Sequence, residues 1–312
     1  MKTKSLFLLI GLVVLCLSSC TEKKATTAFT VASYNLRQAN HGDSIAGNGW
    51  GKRYPVIAQM VQFYDFDIFG TQECFLHQLE NMKSSLPGYD YIGVGRDDGK
   101  KQGEHSAIFY RTDKFELMDH GDFWLSETPD VPSKGWDAAL PRICSWGHFK
   151  FKETGFEFLF FNLHMDHIGK KARVESALLV QNKMKEFNSE LPAILTGDFN
   201  VDQTHESYHA LVSQGVLCDS YEKAEERFAL NGTFNGFNPN SFTESRIDHV
   251  FLSPVFHVKE YGVLTDTYRS VKEEAEDAKV KDAPEELMVK TYEARVPSDH
   301  FPVMVKLEVG KE

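Results

Sequence analysis

Apolar and polar positions along the chain fall into short runs divided by polar turns. Phe29–Leu36 alternates in the manner of a strand and ends among Asn35 and Arg37. A polar surface loop bearing Gly42, Gly47, Gly49 and Gly51 follows, and Tyr54–Tyr64 then reads as a helix with Pro55 in its first turn. Phe66–Thr71 is a second strand with Glu73 just past it, and Tyr89–Val94 and Ser106–Arg111 are two more, joined by the charged turn Arg96–Gly103. Asp119–Cys144 is irregular, rich in aromatics and prolines, and reads as a cover or rim around a site. Cys144–Phe151 and Phe156–Leu163 resemble a hairpin turning at Gly155, and Ala172–Phe187 is the clearest helix. Ser207–Ser213 reads as a helical patch, Ile247–Leu252 as a strand, Val271–Lys279 as a solvated helix in a charged stretch, and Val303–Val309 as the closing strand.

The run Leu191–Asn200 is where chemistry first shows. An apolar segment bounded by Pro192 and Gly197 reads as a buried strand, and alternation turns Asp198 and Asn200 to the same side at its end. One acceptor-only carboxylate beside one carboxamide suits holding a water between an oxygen-loving cation and an electrophile.

Composition sets the scale. With 312 residues, 42% of them hydrophobic, the chain can bury a large core as one sizeable domain or two small ones. Residues 1–19 stand apart: Lys2 and Lys4 precede the apolar Leu6–Leu17, and Leu17-Ser18-Ser19-Cys20 closes the segment. This is similar to a bacterial lipoprotein signal, which implies cleavage before Cys20, acylation there, a polar tether over residues 20–28, and attachment to the cell envelope through lipid alone. Loss of Lys2 and Lys4 takes the formal charge of −11 two units lower. A net negative surface disfavours a nucleic-acid partner. Cys74, Cys144 and Cys218 remain, without CxxC spacing; they read as mostly buried small residues, with one disulfide possible.

Six polar strand-ends occur in one order: Ser33-Tyr34-Asn35, Thr71-Gln72-Glu73, Asn162-Leu163-His164, Gly197-Asp198-Phe199-Asn200, Arg246-Ile247-Asp248-His249 and Ser298-Asp299-His300. Singly, each is as well explained by turns and caps. Together they resemble the endonuclease/exonuclease/phosphatase superfamily of metal-dependent phosphoesterases, over about Phe29–Val309. The resemblance implies a four-layer α/β/β/α sandwich, DNase I-like, with two packed and mainly antiparallel sheets flanked by helices. It makes residues 29–312 a single domain, with a charged insertion around 259–294.

It also implies roles. Asn35, Glu73 and Asp299 would hold or adjoin a divalent cation, Mg²⁺ or Mn²⁺. Asp198 would orient or deprotonate the attacking water, and Asn200 would hold that water or a phosphoryl oxygen. His300, braced by Asp248, would donate to phosphate, and His164 would contact phosphate or serve as leaving-group acid. Arg142, Trp124 and Asp166 are candidate substrate contacts; for Asp166, as for His167 and Arg173, a structural turn and ion pair competes equally. His249 is expected to pack or cap. Asn162-Leu163-His164 lacks the tyrosine of the abasic-endonuclease branch. A small phosphorylated molecule, such as a sugar or inositol phosphate, is the expected substrate; an exported nuclease is the alternative, and an inactive binding module is disfavoured by the intact motifs.

Overall fold

Alternation in the first strand, Thr27–Asn35, sorts its side chains between two cores. Phe29 and Val31 face an aromatic-rich interior shared with Phe115, Phe149, Phe158 and Phe160, while Ala32 and Tyr34 face helices. Asn35 is in phase with the first set, so it points at the opposite sheet. The computed structural model describes residues 26–188, 190–271, 277–290 and 292–310. The signal, Cys20 and most of the tether lie outside the described residues; the tether's expected end is cut short, because the strand begins at Thr27.

The first sheet carries, in spatial order, Glu226–Phe228, His257–Val263, Val303–Val309, Thr27–Asn35, Ile68–Gln72, Ile108–Arg111 and Tyr89–Ile92. The second carries Phe115–Trp124, Ile143–Phe151, Glu157–His164, Ala193–Asp198, Asp248–Leu252 and Cys218–Asp219. Most neighbours are antiparallel. The exceptions are Thr27–Asn35 with Ile68–Gln72, Glu157–His164 with Ala193–Asp198, and Glu226–Phe228 with His257–Val263. Helices Trp50–Phe63 and Leu76–Ser85 cover the outer face of the first sheet through Ile57, Val61, Leu79 and Met82. Lys170–Asn188 and Glu206–Val212 cover the second through Ala177, Val180, Met184 and Leu211. The result is the four-layer sandwich, helix on sheet on sheet on helix.

A polar seam joins the sheets beneath the strand ends. Asn162 Nδ2 donates to the carbonyls of Thr71 (2.9 Å) and Ala107 (3.0 Å), while its Oδ1 accepts from Gln72 Nε2 (2.7 Å) and Thr196 Oγ1 (3.0 Å). Every hydrogen-bonding site of this buried carboxamide is used. Gly70 makes room for it, since a Cβ there would lie 2.2 Å from Asn162 Oδ1.

Several expectations change. The helix starts at Trp50, so Pro55 lies inside it, and a short helix, His41–Ile45, occupies part of the glycine-bearing loop. The stretch expected to be irregular from Asp119 contributes to a strand as far as Trp124, because Ile143–Phe151 supplies an antiparallel partner. The charged insertion begins later than residue 259, since His257–Val263 is a strand of the first sheet. Of the solvated helix expected over Val271–Lys279, residues 272–276 lie outside the described residues, and Val271 and Asp277–Lys279 belong to strands. Tyr268–Val271 pairs with Tyr292–Arg295, and Asp277–Lys279 with Met288–Lys290, two short two-stranded sheets whose partners lie too far along the chain for local periodicity to reveal. Cys74, Cys144 and Cys218 are free thiols.

Asn162→Ala removes two donors and two acceptors from a buried seam. It is expected to lower stability by about 3 kcal/mol or more in urea unfolding; a loss under about 1 kcal/mol would contradict the seam's role.

Candidate active site

The strands deliver their polar ends to one mouth of the sandwich. Asp198 is in phase with Ile194 and Thr196, and Asp248 with Val250 and Leu252, so both carboxylates turn inward to face Asn35. Two further supports hold the loops beyond these ends. Arg53, fully buried on the first long helix, donates to the carbonyls of Leu36, Arg37, Asn48 and Pro297. Gln78 accepts from Ala39 N and Phe75 N and donates to Arg37 O. Together they tie the segments after Asn35, around Glu73 and before Ser298 into one frame.

Around a cleft of about 420 Å³ stand Arg37, Glu73, Glu104, Arg142, His164, His167, Asp198, Asn200, Asp299 and His300, among others. Asn35 Nδ2 donates to Glu73 Oε1 (3.1 Å) and Asp198 Oδ2 (3.0 Å), bridging a carboxylate from each sheet. His300 Nδ1 lies 2.8 Å from Asp248 Oδ2, and its Nε2 faces Asp198 at 3.8 Å. His164 Nε2 faces the same Asp198 oxygen at 3.6 Å, with Glu104 3.7 Å from its other nitrogen. A larger groove, about 980 Å³, lies near the exposed edge strand Glu226–Phe228 and, among the described residues, holds no comparable gathering of metal-ligand groups.

The electrostatics separate the two imidazoles. Burial works against protonating His300, but Asp248 and Asp198 outweigh it and push its pKa well above the ordinary value. Burial, Arg142 and Arg96 push His164 well below, so it stands neutral. Burial and the neighbouring Asp248 charge raise Asp198 to about 7, with His300 opposing. Asp299 is raised by burial, again against His300.

With Glu104 paired to Arg96 and Arg142 to Asp166, the four acids Glu73, Asp198, Asp248 and Asp299 face His300 and the partly exposed Arg37, and that donor chemistry fits a divalent cation. Ligand atoms of Glu73, His164 and Asp198 lie within 4.8 Å of one another, as do those of Asp198, Asp248 and His300. Glu73 and Asp198 offer the hard oxygens such an ion prefers.

Not every expected residue takes its expected place. Asn35 points its amide nitrogen at the acids, and its oxygen accepts from Arg37 N (2.9 Å), so as oriented it links the carboxylates of Glu73 and Asp198. Asn200 has φ 51° and leaves the strand; its N–H turns back to Asp198 Oδ1, and its Nδ2 donates to Met165 O. Trp124 is buried away from the cleft, its indole donating to Arg96 O. Asp166 is buried behind the wall of the cleft. Burial raises its pKa, but N–H groups of Gly169, Ala139 and Ile168, with Arg142, hold it far below the carboxylate range. It anchors Arg142, whose Nε lies 3.3 Å away and whose Nη2 meets His167 at 2.9 Å. Arg142 does reach the cleft, and its Nη1 is buried without a partner. His249 packs between Phe199, Tyr208 and Phe251.

Arg37, Glu104 and Phe234 were missed. Arg37 sits at φ 57°, its Nη1 3.4 Å from Asp299. Glu104 is clamped by Arg96 at 2.6 and 2.9 Å. Phe234, half exposed, sets its ring edge-on to His300. The position of Arg37 just past Asn35 was the one usable signal; Glu104 and Phe234 lie in loops without a motif.

Residues 32–300 match the model of the Endonuclease/Exonuclease/phosphatase family. The chain belongs to that family and is a hydrolase of it. A crystal structure of a family member from Bacteroides thetaiotaomicron is 74% identical, with TM-score 0.85, covering 92% of this chain and 100% of that one. The mannosyl-6-phosphatase of B. thetaiotaomicron VPI-5482 is 76% identical, with TM-score 0.83, covering 89% of this chain and 99% of that one. D. rerio TDP2 complexed with single strand DNA product shares the fold at 15% identity and TM-score 0.63, covering 90% and 99%.

The signs of these shifts predict a linkage. Asp198 ionises near 4 when unfolded and near 7 when folded, so its contribution to stability is present at low pH and is lost as pH rises through that window; the raised His300 loses its contribution higher still. His164, held well below its ordinary value, works the other way over much of that window, so with chelator present the Asp198 contribution is read as the midpoint of the protein minus that of Asp198→Asn, which should fall as pH rises from about 4 through about 7. Added Mg²⁺ should raise the midpoint of the protein most at the upper end, where no proton must be displaced. A difference that does not change with pH, together with a midpoint indifferent to Mg²⁺, would contradict the assignment.

Proposed function

We propose that this protein is a divalent-metal-dependent phosphatase releasing phosphate from a hexose 6-phosphate of the mannose type, tethered to the bacterial envelope at Cys20. The carrying observation is the 76% identity, over nearly the whole folded body, with a mannosyl-6-phosphatase. A cleft of about 420 Å³ suits one sugar ring with its phosphate. The net charge of −11 counts against a polyanionic substrate.

Glu73 would hold the cation, with Asp198 and His164 beside it and Asp299 adjoining. Bound there, Mg²⁺ or Mn²⁺ supplies charge neutralisation at the transferred phosphoryl group. Asp198 takes the proton of the attacking water. With its amide nitrogen committed to Met165 O, Asn200 keeps its oxygen to accept from that water and so aim it. His300, charged and braced by Asp248, donates through Nε2 to a phosphoryl oxygen. The partnerless Nη1 of Arg142 donates to the substrate from the opposite wall. His164, neutral, accepts or donates a hydrogen bond without serving as a cationic acid; as the new P–O bond to water forms, the bond to the sugar oxygen breaks, and that oxygen takes its proton from solvent in the open cleft.

Purified protein should release phosphate from mannose 6-phosphate in the presence of Mg²⁺ and stop with chelator, leaving plasmid DNA intact. Glu73→Gln or His300→Ala should each cut kcat by about 10²–10⁴. DNA cleavage without sugar-phosphate hydrolysis would favour the nuclease reading, and unaltered turnover in either variant would overturn the roles given to them.

A further inference from the structure

The strand Thr27–Asn35 runs the full height of the sandwich, and its two ends do different things. Asn35 sits in the cleft, bonded to Glu73 and Asp198. Thr27 sits at the far pole, paired with Val309 and hydrogen bonded through its hydroxyl to Thr154. The other site-bearing strands agree: Glu157–His164 and Ala193–Asp198 run toward the cleft, while Asp248–Leu252 and Val303–Val309 run away from it. The far pole is therefore built from the opposite strand ends and their turns, where Lys152 Nζ donates to Thr112 O (2.7 Å) and Val255 is exposed. Nine strand residues, at about 3.3 Å each, put roughly 27 Å between where the chain joins the body and the floor of the cleft.

Residues 21–26 are all that separate Cys20 from Thr27. Fully extended, that span reaches about 25 Å. Turning the cleft mouth onto the bilayer would lift Thr27 about the height of the strand above it, which takes up the whole of a fully stretched tether and works against the entropy of stretching it. The far pole next to the lipid costs nothing comparable.

We infer that, with the chain held at Cys20, the cleft opens away from the supporting bilayer, so that the phosphate it takes is carried by a soluble or outward-projecting sugar and not by a lipid headgroup of the same leaflet. The inference rests on acylation at Cys20 and on the phosphatase reading, and it narrows that reading to one substrate geometry.

The test uses the full, acylated chain in vesicles containing phosphatidic acid as the lipid phosphomonoester. In a Cys218→Ser background, a fluorophore goes on Lys152→Cys at the far pole or on Ile168→Cys, an exposed position next to His167 at the cleft rim. Nitroxide-labelled lipid should quench the first and spare the second. Mannose 6-phosphate should turn over as fast on vesicles as in detergent, and phosphatidic acid should release no phosphate. Quenching at residue 168, or phosphate from phosphatidic acid, overturns the inference with anchoring intact. Protein that floats free of the vesicles overturns the anchoring premise and the inference with it. Correct quenching with no turnover of mannose 6-phosphate overturns the sugar-phosphate assignment, and so the inference about substrate, while the orientation itself is read independently from the fluorescence.

Discussion

The carboxamide of Asn162 is the joint on which the rest of the molecule depends. Two sheets stacked face to face could slide over an interior made only of Phe29, Phe149, Phe158 and their neighbours, because apolar contact has no direction. Asn162 removes that freedom. Its four hydrogen bonds reach Thr71, Gln72 and Ala107 on one sheet and Thr196 on the other, and each must be kept because each is buried. Glu73 follows Gln72 directly, and Asp198 lies two residues past Thr196, so the same bonds set the distance between the acids. Packing stability and active-site registry are one constraint.

That registry gathers Glu73, Asp198, Asp248 and Asp299 where water is scarce. Uncompensated, such a group resists ionisation, which is why burial raises Asp198 and Asp299. The chain answers partly with its own cations. His300 is held charged by Asp248 and Asp198, and Arg37 leans on Asp299 from a left-handed backbone position that costs some strain. A divalent ion would complete the balance and draw a proton off Asp198, leaving it a base. Acid–base function and metal affinity are thus two views of one charge arrangement.

The opposite wall is organised by a different logic. Asp166, satisfied by backbone N–H groups, holds Arg142 rigid and leaves Nη1 without a partner. Trp124 supports the turn that carries Arg96, which clamps Glu104 beside His164. These residues behind the cleft shape its wall.

How much of this was legible beforehand divides along a physical line. Alternation is local, so the strands ending at Asn35, His164 and Asp198, their inward faces and the helix after Ala172 followed from the residues alone, as did the polar motifs at the strand ends. Properties that depend on a distant partner did not. Whether Trp124 or Asp166 reaches the cleft, which way the Asn35 amide turns, that Glu104 stands beside His164, and that Tyr268–Val271 and Asp277–Lys279 each pair as strands were settled by contacts between segments far apart in the chain. Side-chain period is a property of the backbone at each residue; proximity across two stacked sheets is a property of the whole packed body.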